Sequence, residues 1–137
     1  MHVSPHASAF CKAAQAKYPR ITFTPGDDMQ TAVAEADIVC TVTASPTPIL
    51  KADWLPKGCH VNVVGSSIPS MREVDDDFVL KASIWVDYTP STLAQAGEVV
   101  EMIAAGKFSA DQLKGEIGAL LQDKIQGRAD ADQLTAY

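Results

Sequence analysis

Three apolar runs in this chain end in small or hydroxyl-bearing residues. Thr41, Thr43, Ala44 and Ser45 close residues 36–45 (ADIVCTVTAS), Gly65, Ser66 and Ser67 follow Val64 within 61–69 (VNVVGSSIP), and Asp87 and Tyr88 end 84–88 (IWVDY). Buried strands that finish this way are how a parallel α/β sheet offers its carboxyl edge to a ligand, because small side chains let a ribose and a flat ring approach the backbone. Thr and Ser also end strands and cap turns with no ligand present, and the residues alone favour that plainer reading. No Gly-x-Gly-x-x-Gly or Gly-x-Gly-x-x-Ala loop occurs anywhere, so the pattern reads as the later part of a dinucleotide-binding domain without its first strand.

The other reactive side chains carry less. His6 reads as a solvated histidine and His60, at the start of an apolar strand, as a satisfied structural residue rather than a catalyst. Arg72 and Glu73 suggest a local ion pair or cap. The run Asp75, Asp76 and Asp77 suits a helix start, where the dipole favours negative charge, better than a metal loop. Cys11, Cys40 and Cys59 form an odd set without zinc-like spacing, and Cys40 and Cys59 sit in or beside apolar runs as buried thiols would. No metal is expected.

These positions need a scaffold, and 137 residues suffice for one domain that buries roughly two thirds of its unfolded surface. Seventeen acidic against eleven basic residues, a net charge of −6, exclude a nucleic-acid or anionic-membrane surface, which needs clustered Lys and Arg. No apolar run reaches membrane-spanning length and no basic-then-apolar leader is visible, so a cytoplasmic protein is expected. Ser4-Pro5 predicts a helix start over 5–17, stopped by Tyr18-Pro19, and 21–24 a short β-branched strand. Asp27 and Asp28 can cap a helix over 29–35. Residues 36–43 read as a strand covered on both faces, 51–55 as at most one helical turn, 60–64 and 84–87 as strands, and 75–82 as a short helix. An amphipathic helix is expected over 91–105, and a last one over 110–125 bent near Gly115 and Gly118, with Gly127 as its stop.

In that order, Ala36-Asp37-Ile38-Val39-Cys40-Thr41-Val42-Thr43, Trp54-Leu55-Pro56-Lys57-Gly58-Cys59-His60-Val61-Asn62-Val63-Val64-Gly65 and Arg72-Glu73-Val74-Asp75-Asp76 resemble the ornithine cyclodeaminase and mu-crystallin family. Val86-Asp87, Gly97-Glu98, Gly115-Glu116-Ile117-Gly118 and Gly127-Arg128 keep the family's order, so the resemblance covers nearly the whole chain. It implies a homodimeric NAD(P)-dependent enzyme: an amino-acid cyclodeaminase, a ketimine or pyrroline-carboxylate reductase, or an alanine dehydrogenase. Members are more than twice as long. Their glycine-rich phosphate loop precedes the segment resembling Val3-Ser4-Pro5, a substrate and dimerisation domain holds the amino-acid carboxylate, and a further segment follows the match to residues 133–137. The expectation is one partial Rossmann-like domain over 1–137 lacking those parts.

The resemblance also bears on single positions. True cyclodeaminases place a catalytic aspartate in a Val-Gly-x-Asp pattern where this chain has Val64-Gly65-Ser66-Ser67, so Ser67 takes its place, no catalytic residue is assigned, and the reductase or dehydrogenase members are the better parallel. Ser4 and His6 fall where members discriminate the adenosine ribose. An acid there would favour NAD and an Arg NADP, and neither is present, so the choice stays open. Cofactor proximity in a full-length parent is implied for Ser4, His6, Thr41, Thr43, Ala44, Ser45, Val64, Gly65, Ser66 and Ser67.

Without the first strand, the strands at Ile21 and Ile38 are expected to pair directly. The result is a three-layer α/β fold: a truncated Rossmann-like, mostly parallel sheet of about four strands in the order Ile21, Ile38, Val61, Ile84, flanked by helices. Its edges, and apolar stripes of Val99, Met102, Ile103, Leu113, Ile117, Leu120, Leu121 and Ile125, would be covered by a second copy in a homodimer or larger assembly, or by a companion segment. Two functions follow as expectations. One is part of an NAD(P)-dependent amino- or imino-acid oxidoreductase, inactive alone and binding dinucleotide weakly or not at all. The other is a non-catalytic α/β oligomer, or a small-ligand-binding protein, derived from that family by truncation.

Overall fold

Capping and turn residues set the local limits of the chain, described over residues 4–137 in a computed structural model. Pro5 occupies the first turn of α1 (Pro5–Lys17), whose missing N–H costs nothing there. Asp28 accepts from Thr31 N at 2.9 Å to start α2 (Met29–Val33), and Asp75 accepts from Phe78 N at 2.9 Å to start α3 (Asp76–Lys81). The strands are β1 (Ile38–Thr41), β2 (His60–Val63), β3 (Ser83–Val86), β4 (Gly115–Glu116) and β5 (Thr135–Ala136). Between β3 and β4 lie α4 (Thr89–Gln95) and α5 (Gly97–Ala104), and α6 (Ile117–Leu120) follows β4. Single 3-10 turns form at Ala52–Trp54 and Ala110–Gln112.

All pairings are parallel, in the order β1-β2-β5-β3-β4. Because side chains alternate across a strand, Val61, Ile84, Val86 and Ala136 share one face and pack with Phe78 and Val79 of α3 and Val99 and Met102 of α5. His60, Trp85 and Thr135 belong to the other face, where Ile117 and Leu120 of α6 lie. The result is a parallel α/β sheet flanked by helices.

Several expectations are corrected. Residues 21–24 form no strand: Ile21 N donates to Tyr18 O at 3.0 Å and Phe23 N to the Gln15 side chain at 3.2 Å, so their donors are satisfied by the end of α1, and Ile21 is 54% exposed. The strands of Val61 and Ile84 are not neighbours, because β5 is inserted between them. β1 is covered on one face only: Ile38 is 63% exposed, and Cys40, also exposed, is reached by Asn62 Nδ2 at 3.5 Å rather than buried. Cys59 alone of the three thiols is buried. Val99 and Met102 belong to the protein's own core, which removes them from any unpartnered stripe, whereas Leu121 is 79% exposed. The helix expected over 110–125 is reduced to α6, since Gly115 pairs with Trp85 as a strand residue. Val3, of the segment Val3-Ser4-Pro5 named for the resemblance, lies outside the described residues.

The helix expected over 91–105 is split at Ala96. The reason is a close approach: a Cβ on Gly97 would stand 1.9 Å from Met71 O, so the backbone at the head of α5 sits directly against the 68–71 turn. Among the described residues no helix is long and apolar enough to cross a membrane.

Candidate functional site

β1 and β2 pair with Thr41 level with Val63, so the loops 42–45 and 64–67 leave the sheet side by side. Val64 N continues the ladder to Thr41 O at 2.9 Å. Beyond it a single side chain joins the loops: the Glu73 carboxylate accepts from Thr43 N through Oε1 and from Gly65 N through Oε2 at 2.8 Å. Glu73 is completely buried, and its own N–H donates to Glu98 Oε1 at 2.6 Å. Burial pushes the Glu73 carboxyl up, but hydrogen bonding from Thr43 and Gly65 outweighs it and holds the group below its usual range. Gly65 is required: a Cβ there would fall 1.9 Å from Thr43 O and 2.2 Å from Glu73 Oε1.

The local ion pair expected at this point involves Arg72 alone. Its guanidinium reaches Asp76 at 2.8 Å and Glu101 at 3.1 Å, and although burial opposes its charge, the two carboxylates more than restore it. Arg72 N also donates to Ser45 O at 2.9 Å, fastening the first loop from below.

At the carboxyl ends of β2, β5 and β3 lies a cleft of about 380 Å³. Val63, Val64, Val86 and Ala136 line its apolar part, and Ser66, Ser67, Asp87, Ser91, Thr92, Gln95, Glu98 and Tyr137 bring polar groups. No Lys, Arg or His is among the described residues that line it. The start of α4 beside it is fixed by Thr89 N donating to Glu116 Oε1 at 2.9 Å, and Asp87, just before the helix's N-cap Tyr88, accepts from Tyr88 N at 2.8 Å. Such a cleft can receive a neutral or cationic ring bearing hydroxyls and an amide.

Of the residues singled out from sequence, Val64, Ser66 and Ser67 line this cleft, with Gly65 in the same loop. Thr41, which is buried, and Thr43, Ala44 and Ser45 form the neighbouring edge and do not line it. Ser4 caps α1 without a side-chain bond and His6 is exposed in its first turn, both outside the cleft. Sequence reasoning missed Ser91, Thr92, Gln95, Glu98 and Tyr137; the one available signal was the Gly97-Glu98 pair, whose glycine brings the buried Glu98 carboxylate to the 71–73 segment.

A second cavity, about 560 Å³, opens on the other sheet face between His60, Asn62, Arg128 and α6. Two of its polar side chains, Arg128 and His60, are engaged through Thr135. Arg128 donates to Gly58 O, Gln133 O and Thr135 Oγ1, each at 2.8 Å, and His60 Nδ1 meets Thr135 Oγ1 at 2.8 Å, so His60 is the satisfied structural residue expected. Among the described residues no group of three His, Cys, Asp or Glu could hold a metal.

A family model described as the ornithine cyclodeaminase/mu-crystallin family matches residues 2–137. The Delta(1)-pyrroline-2-carboxylate reductase of Colwellia psychrerythraea is 32% identical over 120 residues, 88% of this chain and 38% of that protein. The iminosuccinate reductase of Paracoccus denitrificans, solved in complex with NAD+, superposes with a TM-score of 0.79 at 28% identity, over 91% of this chain and 38% of that one. Thermococcus litoralis Delta(1)-pyrroline-2-carboxylate reductase, solved with NADH and L-proline, shares the fold with a TM-score of 0.90 at 23% identity, over 97% and 41% of the two chains. The chain thus spans about two fifths of the length of each of these relatives.

Proposed function

The chain belongs to the ornithine cyclodeaminase/mu-crystallin family, and from that premise we propose that its cleft holds the nicotinamide and adjoining ribose of NAD(H) or NADP(H), for hydride exchange with a small amino or imino acid. The observation that carries this reading is where the hydroxyl-lined, cation-free cleft lies, at the carboxyl ends of parallel strands. The relatives solved with NAD+ or NADH support the choice of cofactor. When bound, the nicotinamide ring gives or takes the hydride. In this reading Ser66 and Ser67 present hydroxyls to the ribose, Val64 and Gly65 let it approach the backbone, and the apolar wall of Val86 and Val99 excludes water from the ring. Thr41, Thr43, Ala44 and Ser45 continue the edge toward the pyrophosphate, and Ser4 and His6 belong to the adenosine side. Ser67 replaces the cyclodeaminase aspartate, so reductase or dehydrogenase chemistry is the better match.

The residues present fit the nicotinamide half; the glycine-rich loop whose backbone amides would hold the phosphates is not in this sequence, and among the described residues no cation lines the cleft to replace it. The chain therefore acts as one partial Rossmann-like domain that needs phosphate- and carboxylate-holding groups from elsewhere, and alone it turns over no ketimine, alanine or ornithine. Orienting the reacting groups is worth roughly 7–11 kcal/mol, and their orienters are not in this cleft. Titration with nicotinamide mononucleotide, NADH and NADPH, followed by Trp fluorescence and calorimetry, tests the reading. Trp85, on the strand β3 that borders the cleft, supplies the signal. Expected is weak, mutually competitive binding with a Kd of roughly 1 mM, equivalent to about 4 kcal/mol. No binding at ten times that concentration would remove the reading; micromolar NADH affinity would show that the chain also holds the phosphates.

A second reading, a non-catalytic oligomer that binds a small ligand, is favoured by one observation. Among the described residues no strand pairs with the outer edge of β1, where Ile38 is 63% and Val42 69% exposed. Turnover by the homogeneous chain would exclude it.

A further inference from the structure

We propose that Glu73 is a positioning residue of the ligand edge: its carboxylate sets the separation and direction of the loops 42–45 and 64–67. The two oxygens of one side chain accept from Thr43 N and Gly65 N, which lie at the ends of two different strands. Among the described residues no cation pairs with this carboxylate, since the adjacent Arg72 turns to Asp76 and Glu101. Its negative charge is met by backbone amides. A residue that merely filled space at 73 would remove the acceptor of both N–H groups and leave nothing to hold the two loops together.

The brace is itself anchored on all sides. Glu73 N donates to Glu98 Oε1 at 2.6 Å, and Glu73 O accepts from Ile49 N at 3.0 Å and Leu50 N at 2.9 Å, so the backbone that carries the carboxylate cannot drift. Gly65 completes the fit, because any side chain there would strike both Thr43 O and the carboxylate. Glu98 joins the brace to the cleft, which its side chain also lines. The loop carrying Ser66 and Ser67 is thus aimed by a group outside the cleft lining. The inference rests on the nicotinamide reading only for its ligand arm.

The test compares the wild-type chain with E73Q and E73M by amide hydrogen exchange and by resonance shifts on adding nicotinamide mononucleotide. Glutamine keeps the length and volume but has one acceptor oxygen, so the Thr43 or the Gly65 amide should exchange at least about tenfold faster, the loss of one ordinary hydrogen bond, while Val61, Ile84 and Val99 amides change less. Ligand-induced shifts at Ser66 and Ser67 should shrink in parallel. E73M should release both amides; if it does not fold, E73Q alone decides. Unchanged exchange at both amides in E73Q overturns the proposal. Faster exchange with undiminished ligand shifts also overturns it, leaving Glu73 as a structural residue only. If the wild-type chain shows no ligand shifts at all, the nicotinamide reading fails and the exchange arm alone judges the brace.

Discussion

Glu73 carries a pH signature that follows from its hydrogen bonds. Its carboxyl is held below the ordinary 4.5 when folded, so the unfolded chain takes up the proton first as pH falls. The stabilisation it contributes is complete above 4.5 and is lost as pH drops from there through the folded value. Thermal unfolding followed by circular dichroism should show the midpoint falling below about pH 4.5 in the wild type, with a shallower fall in E73Q. At neutral pH E73Q should cost about 1.5–3 kcal/mol, the usual worth of a hydrogen bond to a charged group. An E73Q chain as stable as wild type at pH 7 would contradict the assignment. Gly65→Ala should lower stability by roughly 1–3 kcal/mol as well, because its methyl meets backbone that cannot swing away; denaturant midpoints measure it.

Among the elements, α5 and α3 together close one face of the core. Met102 is 1% exposed among Val74, Phe78 and Val99, so Met102→Ala should cost about 2–5 kcal/mol, read as a lower urea midpoint. Gly97→Ala should also destabilise, because α5 must move off Met71 O, and the movement should reach the cleft through Glu98. The legible elements were those with punctuation. Ser4-Pro5 and Tyr18-Pro19 bracket α1, and Asp28 and Asp75 mark the starts of α2 and α3. Residues 21–24 have strand-like composition but no strand beside them, and a β-branched run without a partner ladder is only a loop. β4 and β5, at two residues each, are too short to show any period.

For the molecule as a whole, the open flank of β1 sets the expected assembly. Ile38 and Val42 lie exposed with no charge between them to discourage edge pairing, and α1 buries none of its residues, Phe10 being 68% exposed. A homodimer or larger assembly is expected, with Ile38→Lys shifting it toward monomer in light scattering at dilute concentration. A well-folded monomer in the wild type would remove this expectation. Leu120→Asp, on the half-buried α6, should affect assembly less, because Leu120 already covers the protein's own sheet.

The amino-acid order alone determined the family, the parallel α/β class and the small-residue loop 64–67, because strand ends, caps and a long ordered set of motifs are local and survive in one dimension. Only the tertiary structure decided that β5 separates β2 from β3, that Ser66 and Ser67 share a cleft with Gln95, Glu98 and Tyr137, and that Glu73 braces two loops rather than pairing with Arg72. Each of these joins residues distant in the chain: Glu73 is 30 positions from Thr43. No local pattern encodes which backbone amides a buried carboxylate meets once the strands are laid side by side; packing and the demand that buried donors find acceptors settle it.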